Sequence, residues 1–317
     1  NRKMSEKYIT AFAPASIGNI AVGFDMLGLA ITGVGDRVSA RRVTEEGVII
    51  KEIYDLNNQP HNNLSKDPSQ NTASIAASAL WRAERQVGGI ELIIHKGIPL
   101  QSGMGSSAAS AVAGALAANG LLERPLTLPE LLPAALEGEE FASGGIHADN
   151  VAPSLIGGMV FCPSTSLPDM VSIDTPKNIS SVLIHPDLVV NTAESRGSLL
   201  KSYLMSQWLE QQSHLAGFLI GLQKNDLALI RENLRDVIIE PQRANSVAYF
   251  DDVKNAAITA GALGCSLSGS GPSIFALCED RFAETIKIAM MEIFTKNKIN
   301  SQGWVSSLNA NGAYLEN

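Results

Sequence analysis

The chain has 317 residues, of which 45% are hydrophobic and 18% are charged, a balance typical of a folded globular protein rather than a disordered or fibrous one. The formal net charge is -8, and basic residues cluster no further than a pair such as Arg41-Arg42. Nucleic acid and anionic membrane are therefore not expected as partners, because binding either needs a concentrated positive surface.

Three cysteines are spread widely along the chain: Cys162, Cys265 and Cys278. Their odd number and the absence of a C-x-x-C pair indicate neither a disulfide framework nor a zinc site, and they favour a reducing, cytoplasmic compartment. The most apolar stretch, residues 108–122, is Ala-rich and is interrupted by Asn119 and Gly120. It is too short and too weakly apolar to predict a membrane span.

The first half of the chain predicts strands followed by helices. Residues 7–13 alternate as a short strand does, and the Gly- and Val-rich residues up to position 55 predict several more strands. Residues 72–86 predict a helix capped by Thr72, and residues 90–94 predict a buried strand. The remaining predicted elements of this half are helices over 106–119, 129–141 and 146–156 and a strand over 158–161.

The second half predicts an α+β arrangement in which strands and helices alternate. Its predicted elements are a strand over 181–184, helices within 198–235 and over 251–261, and strands over 265–268 and 273–278. The intervening residues 163–178 are rich in Pro, Ser, Thr and Asp, which is typical of a linker. The length also favours two domains, and we expect them to comprise residues 1–168 and 169–317.

A Gly- and Ser-rich segment joins the strand predicted over 90–94 to the helix predicted over 106–119. Its sequence is Pro99-Leu-Gln-Ser-Gly-Met-Gly-Ser-Ser-Ala-Ala109. Gly103 and Gly105 precede the helix directly, and Ser106 is a good N-cap for it. Several backbone N–H groups and two hydroxyls therefore converge on a helix N-terminus, which predicts a phosphate site.

Two other interpretations of this segment have to be weighed. The string from Gly103 to Ala108 also fits the dinucleotide fingerprint G-x-G-x-x-A. In that fold the first glycine follows its strand almost at once, whereas a proline-bearing loop separates Ile94 from Gly103. Glu123 lies about 20 residues further on, but no strand precedes it, and no Walker A string is present. A plain glycine turn at a helix start stays open for the segment taken alone.

Two further strings change this balance. They are Pro14-Ala-Ser-Ile-Gly-Asn-Ile-Ala-Val-Gly-Phe-Asp-Met-Leu-Gly28 and Ser268-Gly-Ser-Gly-Pro272. With the segment Pro99–Ala109 between them, the strings resemble the three motifs of the GHMP small-molecule kinases, in the same order and over most of the chain. The resemblance implies an ATP-dependent kinase with an α+β fold of two domains, the first ribosomal-S5-like and the second ferredoxin-like. It places the active site in the cleft between them.

Two strings resemble one branch of that family, the branch that acts on homoserine. Gly23-Phe24-Asp25 stands where mevalonate kinases and galactokinases carry an acidic residue and a histidine, and His147-Ala-Asp-Asn150-Val-Ala-Pro153 also fits this branch. The resemblance implies phosphorylation of the side-chain hydroxyl of L-homoserine to O-phospho-L-homoserine, in threonine biosynthesis, by a homodimer. A kinase for another small alcohol, or a non-catalytic ligand sensor, stays open.

The resemblance also assigns roles to individual residues. For ATP it implies Asn71 and the whole glycine segment: Pro99, Leu100, Gln101, Ser102, Gly103, Met104, Gly105, Ser106, Ser107, Ala108 and Ala109. For Mg²⁺ it implies Ser106 and Glu139, with Glu137 and Glu140 as nearby rivals. For homoserine it implies Asn19, Asp25, His147, Asn150, Thr192, Arg196 and Arg243. Catalytic roles fall to Asp25, Asn150 and Glu139. A carboxylate suits the ammonium of an amino acid, and arginine forks suit its carboxylate.

Taken singly, the acceptor residues have plainer interpretations. Asp25 fits a turn, His147 fits a polar cluster at a helix N-terminus, and Arg196 fits a charge on a surface helix. The run Ser268–Gly271 fits an ordinary hairpin turn. Asp25 is the sole carboxylate of the implied acceptor set, so we expect it to bind the substrate ammonium first and to act as a base second.

Overall fold

The computed structural model describes residues 7–190 and 192–316, without the side chains of residues 192 and 193. Its strands are β1 (Ile9–Gly18), β2 (Leu27–Val43), β3 (Gly47–Tyr54), β4 (Gly89–His95), β5 (Met159–Phe161), β6 (Val171–Ile173), β7 (Ile179–Pro186), β8 (Gly264–Leu267), β9 (Ile274–Glu279), β10 (Ser301–Ser307) and β11 (Tyr314–Glu316). Its helices are α1 (Thr72–Ala83), α2 (Ser106–Asn119), α3 (Leu132–Ser143), α4 (Val151–Ile156), α5 (Thr192–Gly197), α6 (Met205–Lys224), α7 (Leu227–Asn233), α8 (Glu240–Arg243), α9 (Phe250–Thr259) and α10 (Ala283–Lys296).

The first sheet has seven strands and is built around the long strand β2. Its main path runs β11-β1-β2-β4-β3, while β5 pairs with the start of β2 and β6 pairs with β5. Only the pairing of β3 with β4 is parallel within the described residues. A register shift between Pro14 and Ser16 interrupts the β1–β2 ladder and lets the end of β1 turn toward the site.

Helix α2 lies in the middle of the first layer, between the sheet and helices α1, α3 and α4. Nearly every residue of α2 is buried, and most of them are Ala, Ser or Gly. A Cβ on Gly114 would lie 2.2 Å from the carbonyl oxygen of Ala73 in α1, so the small side chains are what allow the two helices to approach closely. This packing fixes the N-terminus of α2, which carries the glycine segment.

The second sheet has four strands in the order β10-β7-β9-β8, and all of its pairs are antiparallel. Along the chain it reads strand β7, helices α5 to α9, strands β8 and β9, helix α10 and strand β10. This is the β-α-β-β-α-β succession of a ferredoxin-like domain, as the resemblance implied. Its core comprises buried aliphatic residues of β7 and β9 together with Ile286, Met290 and Phe294 of α10.

Several predicted elements are confirmed and others are wrong. The helix over 106–119 and the strand over 90–94 are present as predicted, as α2 and β4. The helix predicted over 146–156 begins only at Val151, and that over 129–141 is a 3₁₀ turn (Leu128–Leu131) followed by α3. Helix α10 and strands β10 and β11 were not predicted at all.

The domain boundary after residue 168 stays a prediction. Strand β6, just beyond it, belongs to the first sheet through β5, and the last strand β11 returns to pair with β1.

Among the described helices, none combines the length and the apolar character that crossing a bilayer requires.

Candidate active site

The glycine segment forms a loop whose backbone is left-handed at both glycines. Gly103 has φ 74° and Gly105 has φ 68°, a region that residues with a side chain rarely adopt. Gly105, and not Ser106 as predicted, is the N-cap of α2, and no side chain caps the helix there. The N-cap residue therefore offers no side-chain acceptor to the N-terminal N–H groups of α2, an arrangement that suits a phosphate oxygen.

The third motif packs directly against this loop. The Ser268 hydroxyl donates to the Gly103 carbonyl oxygen at 2.6 Å, and the Ser273 N–H donates to the Ser102 carbonyl oxygen at 3.2 Å. A Cβ on Gly103 would lie 2.5 Å from the Ser268 carbonyl oxygen and 2.8 Å from that of Gly271. The second sheet thus holds the loop from behind, and the run Ser268–Gly271 is more than an ordinary hairpin turn.

The first motif supplies a strained turn between β1 and β2. Asn19, Ile20 and Ala21 all have positive φ, and Ile20 is β-branched, for which this conformation is costly. The Asn19 side chain holds the turn together, since its Oδ1 accepts from the Asp25 N–H at 3.0 Å and its Nδ2 donates to the Gly269 carbonyl oxygen at 3.3 Å. Strain of this kind is typical of a functional site.

Asp25 lies at the centre of a charged cluster. Arg196 of α5 donates to both of its carboxylate oxygens at 2.8 Å, a bidentate pair, and His147 Nδ1 lies 3.5 Å from Asp25 Oδ2. Burial lowers the pKa of His147, although Asp25 opposes that shift. Asp25 also raises the pKa of Arg196 through the shared hydrogen bonds. The cluster is partly buried, but its side chains keep enough exposed surface to contact a small polar ligand.

Arg243 of α8 is the buried cation of this cluster, and its charge is poorly satisfied. Its Nη1 donates to the Gly269 carbonyl oxygen at 3.2 Å, while its Nε is buried without a hydrogen-bond partner. Burial and the nearby Arg196 lower the pKa of Arg243. The guanidinium groups of Arg196 and Arg243 both lie 5.3 Å from the ring centroid of Phe24. Two arginines that repel each other across one ring favour the binding of an anion.

Asn150 connects the loop to the charged cluster. It precedes α4, and its Oδ1 accepts from the Ser16 hydroxyl at 2.9 Å. A Cβ on Gly105 would lie 3.1 Å from Asn150 Oδ1 and 2.4 Å from Ser16 Oγ. Asn150 thus lies between the N-terminus of α2 and the residues around Asp25.

Glu139 of α3 is buried behind the start of α2. Burial raises its pKa to about 7, while a hydrogen bond from Ser107 and the charge of Lys96 oppose the shift and Asp149 adds to it. Its Oε2 is buried without a hydrogen-bond partner. A carboxylate oxygen left in this state is suited to a cation that arrives with the ligand.

Two models of known protein families match this chain, one in each half. The model described as GHMP kinases N terminal domain matches residues 71–158, and that described as GHMP kinases C terminal matches residues 218–291. The chain belongs to the GHMP kinase family. The two-domain α+β fold expected from the sequence is thereby confirmed.

Relatives of this GHMP kinase carry a more specific name. It is 44% identical over 306 residues to a homoserine kinase of Xylella fastidiosa (strain M12), covering 96% of this chain and 93% of that protein. It is 41% identical to a homoserine kinase of Chloroherpeton thalassium, over 98% of this chain and 99% of that one. A crystal structure of homoserine kinase from Cytophaga hutchinsonii superposes with a TM-score of 0.93 at 42% identity, covering 100% of both chains.

Other predicted residues of this GHMP kinase have clear places. Asn71, and not Thr72 as predicted, caps α1, because its Oδ1 accepts from the Ala73 N–H at 3.1 Å. Its expected contact with the nucleotide stays a prediction. The side chain of Thr192 lies outside the described residues. Ser106 Oγ donates to the Ile98 carbonyl oxygen at 3.1 Å, and the hydroxyl that hydrogen-bonds Glu139 is that of Ser107.

A buried ion pair beneath the loop was missed by the sequence analysis. Lys96 Nζ contacts Asp36 Oδ2, the Ser106 carbonyl oxygen at 3.0 Å and Ser110 Oγ at 2.7 Å. The other oxygen of Asp36 accepts from the N–H groups of Gly97 and Ile98 at 2.8 and 3.1 Å. Strand β2, the start of the loop and the first turn of α2 are therefore tied together. The available signal was a charged residue in the middle of β2, Asp36, and a lysine directly after the apolar strand β4.

Asp149 was also missed, although it lies within the string from His147 to Pro153. It is 4% exposed, and burial with the nearby charge of Asp25 raises its pKa to about 7. The backbone N–H of Asn19 donates to its carboxylate and opposes that shift. Asp149 therefore supports the strained turn of the first motif from below.

Proposed function

We propose that this GHMP kinase transfers the γ-phosphoryl group of ATP to the side-chain hydroxyl of L-homoserine and forms O-phospho-L-homoserine, a step of threonine biosynthesis. The observation that carries the proposal is the cluster of Asp25, Arg196 and Arg243 next to an uncapped helix N-terminus. The charged cluster suits a zwitterionic amino acid, and the helix N-terminus suits phosphate. The names of the relatives support the same acceptor.

The acceptor side can bind both charges of an amino acid. The buried Nε of Arg243 has no partner, and an incoming carboxylate would supply one while also reducing its repulsion from Arg196. The substrate ammonium would bind Asp25, which Arg196 and His147 already hold in place. Asn19 fixes the turn that carries Asp25. An uncharged sugar or alcohol would leave the two arginines without an anion.

The donor side needs little beyond position and positive potential. Phosphoryl transfer spreads negative charge over the oxygens of the moving group, so catalysis consists mainly of alignment and charge stabilisation. The N-terminus of α2 and the loop Pro99–Ala109 supply oriented N–H dipoles. Asn150 lies between the two sides and would position the acceptor hydroxyl for attack.

Mg²⁺ is proposed as the metal, and the residues present fit it. The unpartnered Glu139 Oε2 offers one hard oxygen ligand, and Ser106 directs its hydroxyl proton at the Ile98 carbonyl oxygen, which leaves its lone pairs available. No cluster of three or more metal-ligating side chains occurs among the described residues, which agrees with Mg²⁺ because it takes few protein ligands when phosphate supplies the rest. Bound Mg²⁺ would neutralise charge on the phosphate oxygens.

A cleft between α1 and α3 is the candidate site for the adenosine part of ATP. It has a volume of about 600 Å³ and lies between α1 and α3, the helices that carry the turn at Asn71 and Glu139. Val48, Ile75 and Phe141 give it apolar walls, and Ser69 and Ser78 provide hydroxyls. The charged residues Arg82, Glu137 and Glu140 also line it. Apolar walls with a few polar groups are typical of a nucleotide-base site.

The proposed cellular setting is the cytoplasm, and the proposed assembly is a homodimer. The buried, unpaired cysteines are compatible with the cytoplasm, since all three are free thiols. The family resemblance favours a homodimer. Neither bears on the chemistry of the site.

A coupled ADP-release assay tests the proposed reaction. Homoserine, mevalonate, galactose and shikimate are offered in turn with ATP and Mg²⁺, and we expect turnover with homoserine far above the other three. Arg243→Met serves as the matched variant, since it should raise the KM for homoserine and leave the KM for ATP nearly unchanged. Absence of turnover with homoserine would refute the assignment.

Two rivals give different results in the same assay. A kinase for another small alcohol would turn over one of the other acceptors. A ligand sensor would bind ATP, measured by calorimetry, without releasing ADP in the presence of any acceptor. The buried Glu139 and the hydroxyl of Ser106 argue against the sensor, because they are the groups proposed to hold the Mg²⁺ that phosphoryl transfer requires.

A further inference from the structure

Arg243 belongs to a helix that is too short to be stable on its own. Helix α8 comprises four residues, Glu240–Arg243, and Arg243 is the last of them. An isolated helix needs about 12 residues or more to form in water, so contacts with the rest of the protein must fix α8. The Arg243 side chain adds little, because its Nη1 donates to the Gly269 carbonyl oxygen while its Nε is buried without a partner. The position of its guanidinium therefore depends on what holds the backbone of α8.

Asp236 holds the chain where it enters this helix. It is 7% exposed, and its carboxylate accepts from three successive backbone N–H groups. Its Oδ1 accepts from Ile238 at 2.9 Å and from Ile239 at 3.0 Å, and its Oδ2 accepts from Glu240 at 2.8 Å. N–H groups at a helix start have no acceptor within the helix, and hydrogen bonds to an ionised carboxylate are stronger than those between neutral groups. Asp236 therefore fixes the backbone at the start of α8.

Glu240 ties the same helix to the second sheet. Its Oε2 accepts from the Ser266 hydroxyl of β8 at 2.6 Å, and its Oε1 contacts the ammonium of Lys254 in α9. The Glu240 side chain is only 11% exposed, so salt in the solvent screens this ion pair less than a pair on the surface. Helix α8 is thus fixed along the chain by Asp236 and across the domain by Glu240.

The charge of Asp236 also acts on Arg243. Burial and the nearby Arg196 lower the pKa of Arg243, whereas the negative charges of Asp25 and Asp236 oppose that shift. Asp236 therefore provides both a fixed backbone and a compensating charge for the buried guanidinium.

We propose that Asp236 and Glu240 are positioning residues for the acceptor, because they hold α8 where the Arg243 guanidinium can bind the substrate carboxylate. Neither has to contact the substrate, since Asp236 binds backbone N–H groups and Glu240 binds Ser266 and Lys254. The inference rests on the proposed function and extends its acceptor site to two side chains behind Arg243. Loss of either side chain should weaken the binding of homoserine and leave the binding of ATP unchanged.

Steady-state kinetics with homoserine and ATP measure this role. Asp236→Ala should raise the KM for homoserine about tenfold, the size of effect expected when a carboxylate that caps a helix start is lost. The KM for ATP should not change. Asp226→Ala is the matched control, because Asp226 caps the neighbouring helix α7 by accepting from the Leu229 N–H at 3.0 Å, and α7 carries no residue of the proposed site. The control should leave both KM values unchanged, and an equal rise in the two variants overturns the proposal.

Glu240→Gln tests the same helix with a milder change. It keeps the size of the side chain and removes its charge, so it applies even where the loss of Asp236 prevents folding. It should raise the KM for homoserine about threefold and leave the KM for ATP unchanged. An unchanged KM for homoserine in this variant overturns the role assigned to Glu240.

A double-mutant cycle tests whether Asp236 acts through Arg243. Added to Arg243→Met, the substitution Asp236→Ala should raise the KM for homoserine by less than about twofold, because the side chain that Asp236 positions is already absent. A general loss of structure would raise this KM equally in both backgrounds. Equal effects in the wild type and in Arg243→Met therefore overturn the proposal.

A measurement without substrate separates this inference from the proposed function. The Nε–H of Arg243 is buried, so its proton should exchange slowly with water and give a resonance in a proton–nitrogen correlation spectrum, assigned by its loss in Arg243→Met. Asp236→Ala should shift or broaden this resonance, and Asp226→Ala should not. An unchanged resonance in Asp236→Ala overturns the inference even if homoserine is the substrate. If the resonance moves but the wild type does not turn over homoserine, the proposed function fails and the positioning of Arg243 stands.

Discussion

The two halves of the proposed active site are built to recognise their ligands by different means. On the donor side the loop around Gly103 and Gly105 presents backbone groups, and its shape is fixed by carbonyl oxygens of the third motif. On the proposed acceptor side the candidate recognition groups are charged side chains, namely Asp25, Arg196 and Arg243, brought together from three separate segments. Recognition on the donor side thus depends on the backbone conformation of the loop, whereas recognition on the acceptor side depends on the identity of three side chains.

This difference predicts opposite sensitivities to mutation. The donor side should tolerate changes of side chain at most loop positions but no change that moves the backbone. The acceptor side should tolerate small backbone adjustments but not the loss of a charge. Substitutions chosen on each side can break or sharpen the comparison, beginning with the largest expected effect.

Gly103→Ala should be the most damaging single change. The added Cβ would lie within 3 Å of two carbonyl oxygens of the third motif, and the residue would keep a left-handed φ of 74°. Strain and collision together should cost several kcal/mol and displace the loop. We expect ATP-dependent turnover to be lost, measured by ADP release, with a lower temperature of thermal unfolding.

The control for this change is Met104→Leu, at the neighbouring position. Met104 is fully buried, and the substitution conserves volume and backbone, so it should cost less than about 1.5 kcal/mol and leave the KM for ATP unchanged. Equal losses of activity in both variants would contradict the view that backbone shape determines donor binding.

Lys96→Met tests the support beneath the loop. It would leave the fully buried carboxylate of Asp36 without its ammonium partner, which typically costs about 3–5 kcal/mol. Urea denaturation should show this loss. The double variant Asp36→Leu with Lys96→Met should recover much of the stability, because a buried ion pair replaced as a whole leaves no isolated charge. A double variant no better than the single one would show that the hydrogen bonds of Asp36 to Gly97 and Ile98 matter more.

Asp25→Asn tests the acceptor side. It removes the charge that Arg196 binds and that we assign to the substrate ammonium, while the amide keeps the size of the side chain. We expect the KM for homoserine to rise about a hundredfold, since a tenfold change corresponds to about 1.4 kcal/mol and one charged contact supplies roughly twice that. The KM for ATP should not change. An unchanged KM for homoserine with kcat abolished would instead make Asp25 a catalytic base.

Much of the donor side could be predicted from the sequence, because its signal is local. The glycines, the serines and the Ala-rich helix that follows are contiguous, and helix α2 begins and ends as expected. The acceptor residues are far apart along the chain, so only the family resemblance connected Asp25 with Arg196 and Arg243. Taken singly, each had an ordinary interpretation as a turn or surface residue.

The residues whose roles were wrongly predicted or not predicted share a physical cause, since each role depends on backbone conformation or on contacts between distant parts of the chain. Asn71 and Gly105 are the N-caps, where Thr72 and Ser106 were predicted. Which of two neighbouring residues is the N-cap depends on their backbone angles, and the types of the residues do not reveal those angles. Asp36 lies in β2 and Lys96 directly follows β4, so their contact arises from the fold alone. Asp149 follows His147 in the chain, yet its burial beneath the first motif could not be inferred from local sequence.

Asp149→Asn should have the smallest effect and the clearest dependence on pH. The carboxyl ordinarily has a pKa of 3.8. Burial and the charge of Asp25 make its ionised form unfavourable in the folded state, where its pKa is about 7. Arg196 and the Asn19 N–H only partly offset this. The folded state therefore holds a proton that the unfolded state releases, and the free energy of unfolding of the wild type should fall as pH rises from about 4 to 7. The free energy of unfolding of the asparagine variant lacks this pH dependence. The variant should therefore be no more stable than the wild type at pH 4 and more stable than it by about 2 kcal/mol at pH 8. This gain is smaller than the limit set by the pKa shift, which is about 1.4 kcal/mol for each pKa unit. Urea denaturation of both proteins across this range measures the difference, and a constant difference would mean that Asp149 is ionised in the folded protein and acts as a permanent acceptor for the strained turn at Asn19.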